Sequence, residues 1–157
     1  MNDDAQASIK SILLTVVGQA FSAAGFHLVE RPVQQAAGQY RFGKQLENGL
    51  FLYIIFQFLV YVNTEWAAGM PSRFKVSLVR SDFPEPSQTS EHPEYIQRDL
   101  SDLVVADFKV QILPHTGYWW PFSTQSELGQ ALAEAGHLVI GFGIPWLQGE
   151  LQLPTSD

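Results

Sequence analysis

From Ser8 to Ala24 the apolar side chains fall at Ile9, Ile12, Leu13, Val16, Val17, Ala20 and Phe21. Recurrence at i, i+3, i+4 and i+7 puts one apolar stripe along a helix, and Gly25, free to take a left-handed conformation, ends it. Phe26–Glu30 then reads as a short strand, stopped and kept to a sheet edge by Arg31-Pro32, because proline has no N–H to give a ladder. A Gln/Ala/Gly linker leads to a second short strand over Gln39–Gly43, and Glu47-Asn48-Gly49 has the chemistry of a tight turn. Leu50–Val62 follows, the longest apolar run in the chain. Read with period two, it sets Leu50, Leu52, Ile54, Phe56, Phe58, Val60 and Val62 on one face and Phe51, Tyr53, Ile55, Gln57, Leu59 and Tyr61 on the other. Its aromatic and β-branched content favours a strand, and two apolar faces make it a central one, covered at least in part on both sides. Three covers are open for the second face: the C-terminal helix, a ligand, or a second copy of the chain.

Ser72–Arg80 alternates cleanly, with Phe74, Val76 and Leu78 against Arg73, Lys75 and Ser77, as a strand with one wet face does. The Pro-, Ser- and acid-rich Ser81–His92 reads as a loop, with a short helical turn around Pro93–Leu100. Val104–Ile112 alternates again and predicts another strand. After Pro114 comes an aromatic corner, Tyr118-Trp119-Trp120-Pro121-Phe122. Thr124 followed by Glu127 is a capping box that opens a helix with a stripe at Leu128, Ala131, Leu132 and Ala135. The stripe continues through Leu138, Val139 and Phe142 despite Gly136, so one helix is preferred to a strand over Leu138–Phe142. The order helix, strands, helix predicts a single α+β domain over residues 1–157: an antiparallel sheet of about five strands packed against an N-terminal and a C-terminal helix.

Composition narrows the classes. Hydrophobic residues make up 46% and charged residues 16%, a globular balance, and with no cysteine there are no disulfides or thiolate metal sites. The acidic opening Met1-Asn2-Asp3-Asp4 is unlike a secretory leader, and Leu50–Val62 is too short to span a bilayer as a helix, so no membrane and a cytoplasmic location are expected. A net charge of −7 disfavours nucleic acid, whose phosphates need a basic footprint. Asp82–Asp107 carries seven acids against Arg98 alone, and no Lys or Arg follows Lys109. Such polarity suits a basic protein partner as well as solubility.

Motifs of catalysis are weak. Glu91-His92-Pro93-Glu94 is better read as a solvated loop than as a metal site, and His27, His115 and His137 show no ligand spacing. Ser72-x-x-Lys75 matches a nucleophile pattern on paper, yet residues three apart on a strand point to opposite faces. Gly141-Phe142-Gly143 fails as a dinucleotide loop. No catalytic residue, metal or cofactor is therefore assigned. Two surfaces remain as ligand or partner candidates. The polar side of the strands gathers Arg41, Arg73, Lys75 and Lys109, with Tyr53 and Tyr61 nearby, a basic, aromatic face suited to an anionic ligand. The second is the aromatic set Trp119, Trp120, Phe122 and Trp146, with Trp66 in the Asn63–Met70 connection beside it, while His115, with Arg41 and Arg73, is a polar contact for a pocket between sheet and helix.

The helix ending in Gly25-Phe26, the pair Phe56-Gln57, the run Arg73-Phe74-Lys75-Val76, the corner Tyr118-Trp119-Trp120 and the closing Ile144-Pro145-Trp146-Leu147 together resemble a bacterial family known only as the domain of unknown function numbered 4304. The resemblance implies an α+β fold and brings no catalytic residues. Acidity, aromatics and the lack of catalytic motifs lead to a non-enzymatic protein-binding module of the immunity or antitoxin type as the first expectation. A small-molecule-binding domain or enzyme with a pocket between sheet and helix is the rival, and homodimerisation through the second face of Leu50–Val62 a third.

Overall fold

The computed structural model describes residues 3–61 and 71–154. The chain opens with α1 (Asp3–Leu13), a π turn over Leu14–Gly18 and α2 (Gln19–Ala23), which run on as one rod. The π turn has a cause in the sequence. Ile9, Leu13, Val17 and Phe21, all buried, recur every fourth residue. On an α-helix with 3.6 residues per turn that spacing drifts by about 40° per step, and one widened turn absorbs the drift. β1 (His27–Val29) follows, then α3 (Pro32–Ala36), β2 (Gln39–Gln45), β3 (Phe51–Leu59) and β4 (Ser72–Ser81). β5 (Ile96–Asp99) runs directly into α4 (Leu100–Asp102) and a second π turn over Leu103–Asp107. The chain ends with β6 (Trp120–Phe122), α5 (Gln125–Leu138), a third π turn over Val139–Gly143 and α6 (Ile144–Leu147).

The sheet is antiparallel throughout, in the order β1-β2-β3-β4-β5, with β6 also paired to β4. β5 takes Ser77–Arg80 and β6 takes Ser72–Phe74, so the far edge of β4 is shared by two short strands that part company at Lys75 and Val76. Gly38 sets up the β2–β3 pairing. At φ +90° its carbonyl accepts from Phe58 N–H at 2.8 Å, and a Cβ there would lie 2.4 Å from Phe58 O. Leu46-Glu47-Asn48-Gly49 closes the hairpin as expected, with Asn48 Oδ1 accepting from Leu50 N–H.

Both helical ends of the chain pack on one face of the sheet. Tyr40, Phe42, Leu52, Ile54, Phe56, Phe58, Phe74, Val76 and Leu78 supply that face, while Leu13, Val17, Phe21, Leu128, Leu132, Val139 and Leu147 meet it from above. Its centre is aromatic: Phe21 stands edge-on to Phe42 at 5.1 Å, and Trp120 stacks on Phe74 at 5.5 Å. The first π turn and α5 approach so closely that a Cβ on Gly136 would sit 2.9 Å from Val17 Cγ1. Thr124 caps α5, its Oγ1 accepting from Glu127 N–H at 3.1 Å. Among the described residues no helix is long and apolar enough to cross a membrane.

Three expectations need correction. Val104–Ile112 is not a strand. Leu100, Leu103 and Val104 are buried at helical spacing, so the alternation was one side of a helical period whose first member, Leu100, lay outside the window. The helical turn expected around Pro93–Leu100 is instead a turn at Pro93-Glu94 followed by β5, with helix beginning only at Leu100. The Gln/Ala/Gly linker contains α3, which starts with Pro32 at its first turn, where the missing N–H costs nothing. The C-terminal segment, by contrast, stays helical through Leu138–Phe142.

Candidate functional site

The C-terminal helix packs on the first face of β3, not on the second. About half of the second face lies beneath the Asp82–Tyr95 connection, and among the described residues the other half is open. The loop is fastened at three points. Tyr53 O–H donates to the carbonyl of Pro84. Glu85 takes both guanidinium arms of Arg41, at 3.0 Å each, and Arg31 at 2.7 Å. Pro86 is buried against the sheet. Burial pushes the pKa of Glu85 up, but the hydrogen bonds from Arg41 and from the side chain and N–H of Ser87, with the Arg41 charge, outweigh it and bring the value down to about 2. Burial, with Glu85 nearby, raises the pKa of Tyr53.

Beside this clasp the open half forms a depression of about 390 Å³. Ile55 and Val79 give it an apolar floor, and Pro86 and Trp119 stand at its sides. Sheet register explains its polar lining. Gln39, Gln57 and Lys75 are direct cross-strand partners and so form one row, and Arg41, Ile55, Ser77 and Asp99 form the next. Within these rows Arg41 Nε donates to Gln39 Oε1 at 2.7 Å, and Ser77 Oγ donates to Asp99 Oδ1 at 3.0 Å. Gln57 Nε2 donates to the carbonyls of Ala37 and Phe58, both at 3.2 Å. Lys75 Nζ lies 4.0 Å from Asp99 Oδ2. Trp119, one residue before the Phe74–Trp120 pair, comes beside Lys75. The Arg73 guanidinium lies 4.6 Å and Lys75 Nζ 5.4 Å from its ring centroid. Among the described residues Arg73 has no carboxylate partner.

Of the candidates named from sequence, Arg41, Arg73, Lys75 and Trp119 meet here, and Tyr53 adjoins them under the loop. The others do not join them. Lys109 was placed on this face because a strand was expected there; instead it follows the second π turn at φ +60°, exposed and off the sheet. Asp107, at the end of the second π turn, is bound by Arg98 at 2.9 Å through two hydrogen bonds. Trp120 is 2% exposed and belongs to the core, as alternation along β6 demands. Trp146 lies apart, beside Arg80 and Glu94 under the C-terminal tail. His115 is exposed, its ring 5.6 Å from Tyr118, and Tyr61 lies just beyond β3 with its N–H donating to Ser72 Oγ. Trp66 and Val62 lie outside the described residues. The residues missed from sequence are Gln39, Ser77, Gln97 and Glu85. The first two share the period-two face of Arg41 and Lys75, but only the register brings Gln97 and the loop carboxylate to them.

Between sheet and helix lies a depression of about 250 Å³, lined by Leu14, Gly18, Ser22, His27, Leu28 and Phe42, and none of Arg41, Arg73 or His115 borders it. The depression that gathers the candidate residues is on the other side of the sheet. Ser72 is buried while Lys75 lines the depression, so the Ser-x-x-Lys pair is split as strand geometry requires. Among the described residues no group of three or more His, Asp or Glu could hold a metal ion. No family model, no curated protein and no solved structure matches the chain.

Proposed function

We propose that the protein is a non-catalytic protein-binding module, one that sequesters a partner in the manner of an immunity protein or antitoxin, and that it works through the open half of its sheet. The observation that carries this reading is Trp119, held on the open face between Arg73 and Lys75 instead of being drawn into the aromatic core next door. Tryptophan and arginine together anchor many interfaces, because each brings large contact area and directed polar groups. The face is also a shallow, wide surface and not an enclosed cleft, which suits a macromolecular partner.

The test is capture from a lysate of the cells that express the protein, using immobilised wild type, Trp119→Ala, Arg73→Glu and Lys109→Glu. A partner held by wild type and Lys109→Glu but lost from the first two variants is the expected result. Equal capture by all four, or recovery of the protein alone, would remove the reading. A second reading rests on the size of the depression, which lies within the range of small-ligand sites. Stabilisation by a member of a metabolite library, lost in Arg41→Ala, would support it.

A further inference from the structure

Taken alone, the net charge of −7 points to a basic partner. The open face has the opposite sign. Arg31, Arg41, Arg73 and Lys75 stand on or beside it, and the carboxylates paired with them are those of Glu85 and Asp99. The two carboxylates are unevenly placed. Glu85 is fully engaged by Arg31 and Arg41, whereas Asp99 gives one oxygen to Ser77 and lies at the limit of an ion pair with Lys75. The unspent cationic character is therefore concentrated at Arg73 and Lys75, around Trp119.

The molecule also displays what this face accepts. Its own connection, Asp82-Phe83-Pro84-Glu85-Pro86, is an acidic, proline-containing segment lying across the neighbouring strands. It docks by a carboxylate on Arg41, a main-chain carbonyl on Tyr53 and a buried proline. Two strands away, about 10 Å across the sheet, the same three kinds of contact stand ready. Lys75 and Arg73 are the cations, the side-chain amide of Gln97 the hydrogen-bonding group, and Trp119 with Ile55 the apolar surface for a proline ring.

We propose that the open half of the sheet binds an extended, acidic, proline-containing segment of a protein partner, laid alongside the molecule's own Asp82–Tyr95 loop, with partner carboxylates on Arg73 and Lys75 and a proline against Trp119. This rests on the binding role given above for the same face, and it names the chemistry of the occupant. Proline keeps such a segment extended before it binds, which lowers the entropy lost on docking. The rest of the chain carries a net negative charge, which disfavours the segment elsewhere, so the local sign favours this face.

The experiment uses the whole protein and a fluorescein-labelled peptide of repeated Glu-Pro, followed by anisotropy at low salt. A second peptide has Lys in place of Glu, and free glutamate and citrate serve as competitors. Saturable binding of the Glu peptide is expected, weakened about tenfold or more by Arg73→Glu, by Lys75→Glu and by physiological salt, and unchanged in Lys109→Glu. Trp119→Ala is expected to weaken it as well, with circular dichroism confirming that each variant is folded. Preference for the Lys peptide would overturn the proposal in favour of a basic partner. Displacement by citrate or glutamate as effective as by unlabelled peptide would overturn it in favour of a small anion. Absence of binding, or binding indifferent to Arg73→Glu, would also overturn it. If Trp119→Ala still loses a captured cellular partner while the Glu peptide does not bind, the binding role of the face stands and only the acidic occupant falls.

Discussion

Trp119 and Trp120 are neighbours in sequence and opposites in environment, because consecutive residues of a strand point to opposite faces of the sheet. Trp120 lies almost parallel to Phe74 in the core, whereas Trp119 faces Arg73, Lys75 and the depression. Truncations on the two faces should therefore separate. Phe74→Ala removes a fully buried ring and is expected to cost about 3–5 kcal/mol of stability, while Trp119→Ala should cost about 1 kcal/mol or less. Urea midpoints of the two variants check the difference, and comparable losses would mean that Trp119 is part of the core. Glu85 carries a pH prediction. Its folded pKa of about 2 lies below the ordinary value of 4.5, so its ionised form stabilises the fold above about pH 4.5, and this is lost progressively as the pH falls towards 2. Because the side chain keeps 31% of its exposure, the contribution is put at about 1–2 kcal/mol, less than the full shift implies. Wild type should exceed Glu85→Gln in unfolding free energy near neutral pH, and the gap should close as the pH approaches 2. A gap that stays constant would show that Arg41 does not hold the carboxylate.

The π turns belong to the scale of the element. In the first rod the buried stripe advances by four residues at each step, and in the last Val139 and Ile144, both buried, stand five apart across the turn. Each widened turn realigns a stripe that an unbroken α-helix would carry away from the sheet. Deleting Thr15, exposed and inside the first π turn, would give a stripe spaced four, three and four residues, which an ordinary α-helix keeps on one face. That deletion is expected to leave stability within about 1 kcal/mol of wild type. A thermal transition lowered by more than that would show that the turn has some other cause. The first four strands and the two long helical rods were legible because their periods are clean: Ser72–Arg80 differs from β4 by one residue. Leu100–Asp107 was not, since an apolar run that short fits either period and only its packing against the helical layer decides. The candidate site was legible as a set of residue types on one strand face. Its loop clasp was not, because nothing local in Asp82–Tyr95 says that Glu85 reaches Arg41, a residue 44 positions away.

For the molecule as a whole, the opposite signs of the open face and of the full chain bear on self-association. A two-fold dimer through that face would bring Arg73 and Lys75 against their own copies, since such an interface pairs one patch with itself. Light scattering at micromolar concentration is therefore expected to give a mass near the chain's 17.6 kDa. A doubled mass that Arg73→Glu reduces would show that the face does pair with itself. The helical layer has a different consequence. It is assembled from the two ends of the chain, α1 and α2 with α5 and α6, while the sheet lies between them in sequence. During synthesis every strand has been made by Phe122, yet the second half of the cover for Phe56, Phe58 and Phe74 has still to leave the ribosome. The nascent chain thus passes through an interval with a finished but half-bare aromatic sheet, in which it depends on chaperones or on speed to avoid sticking to its neighbours.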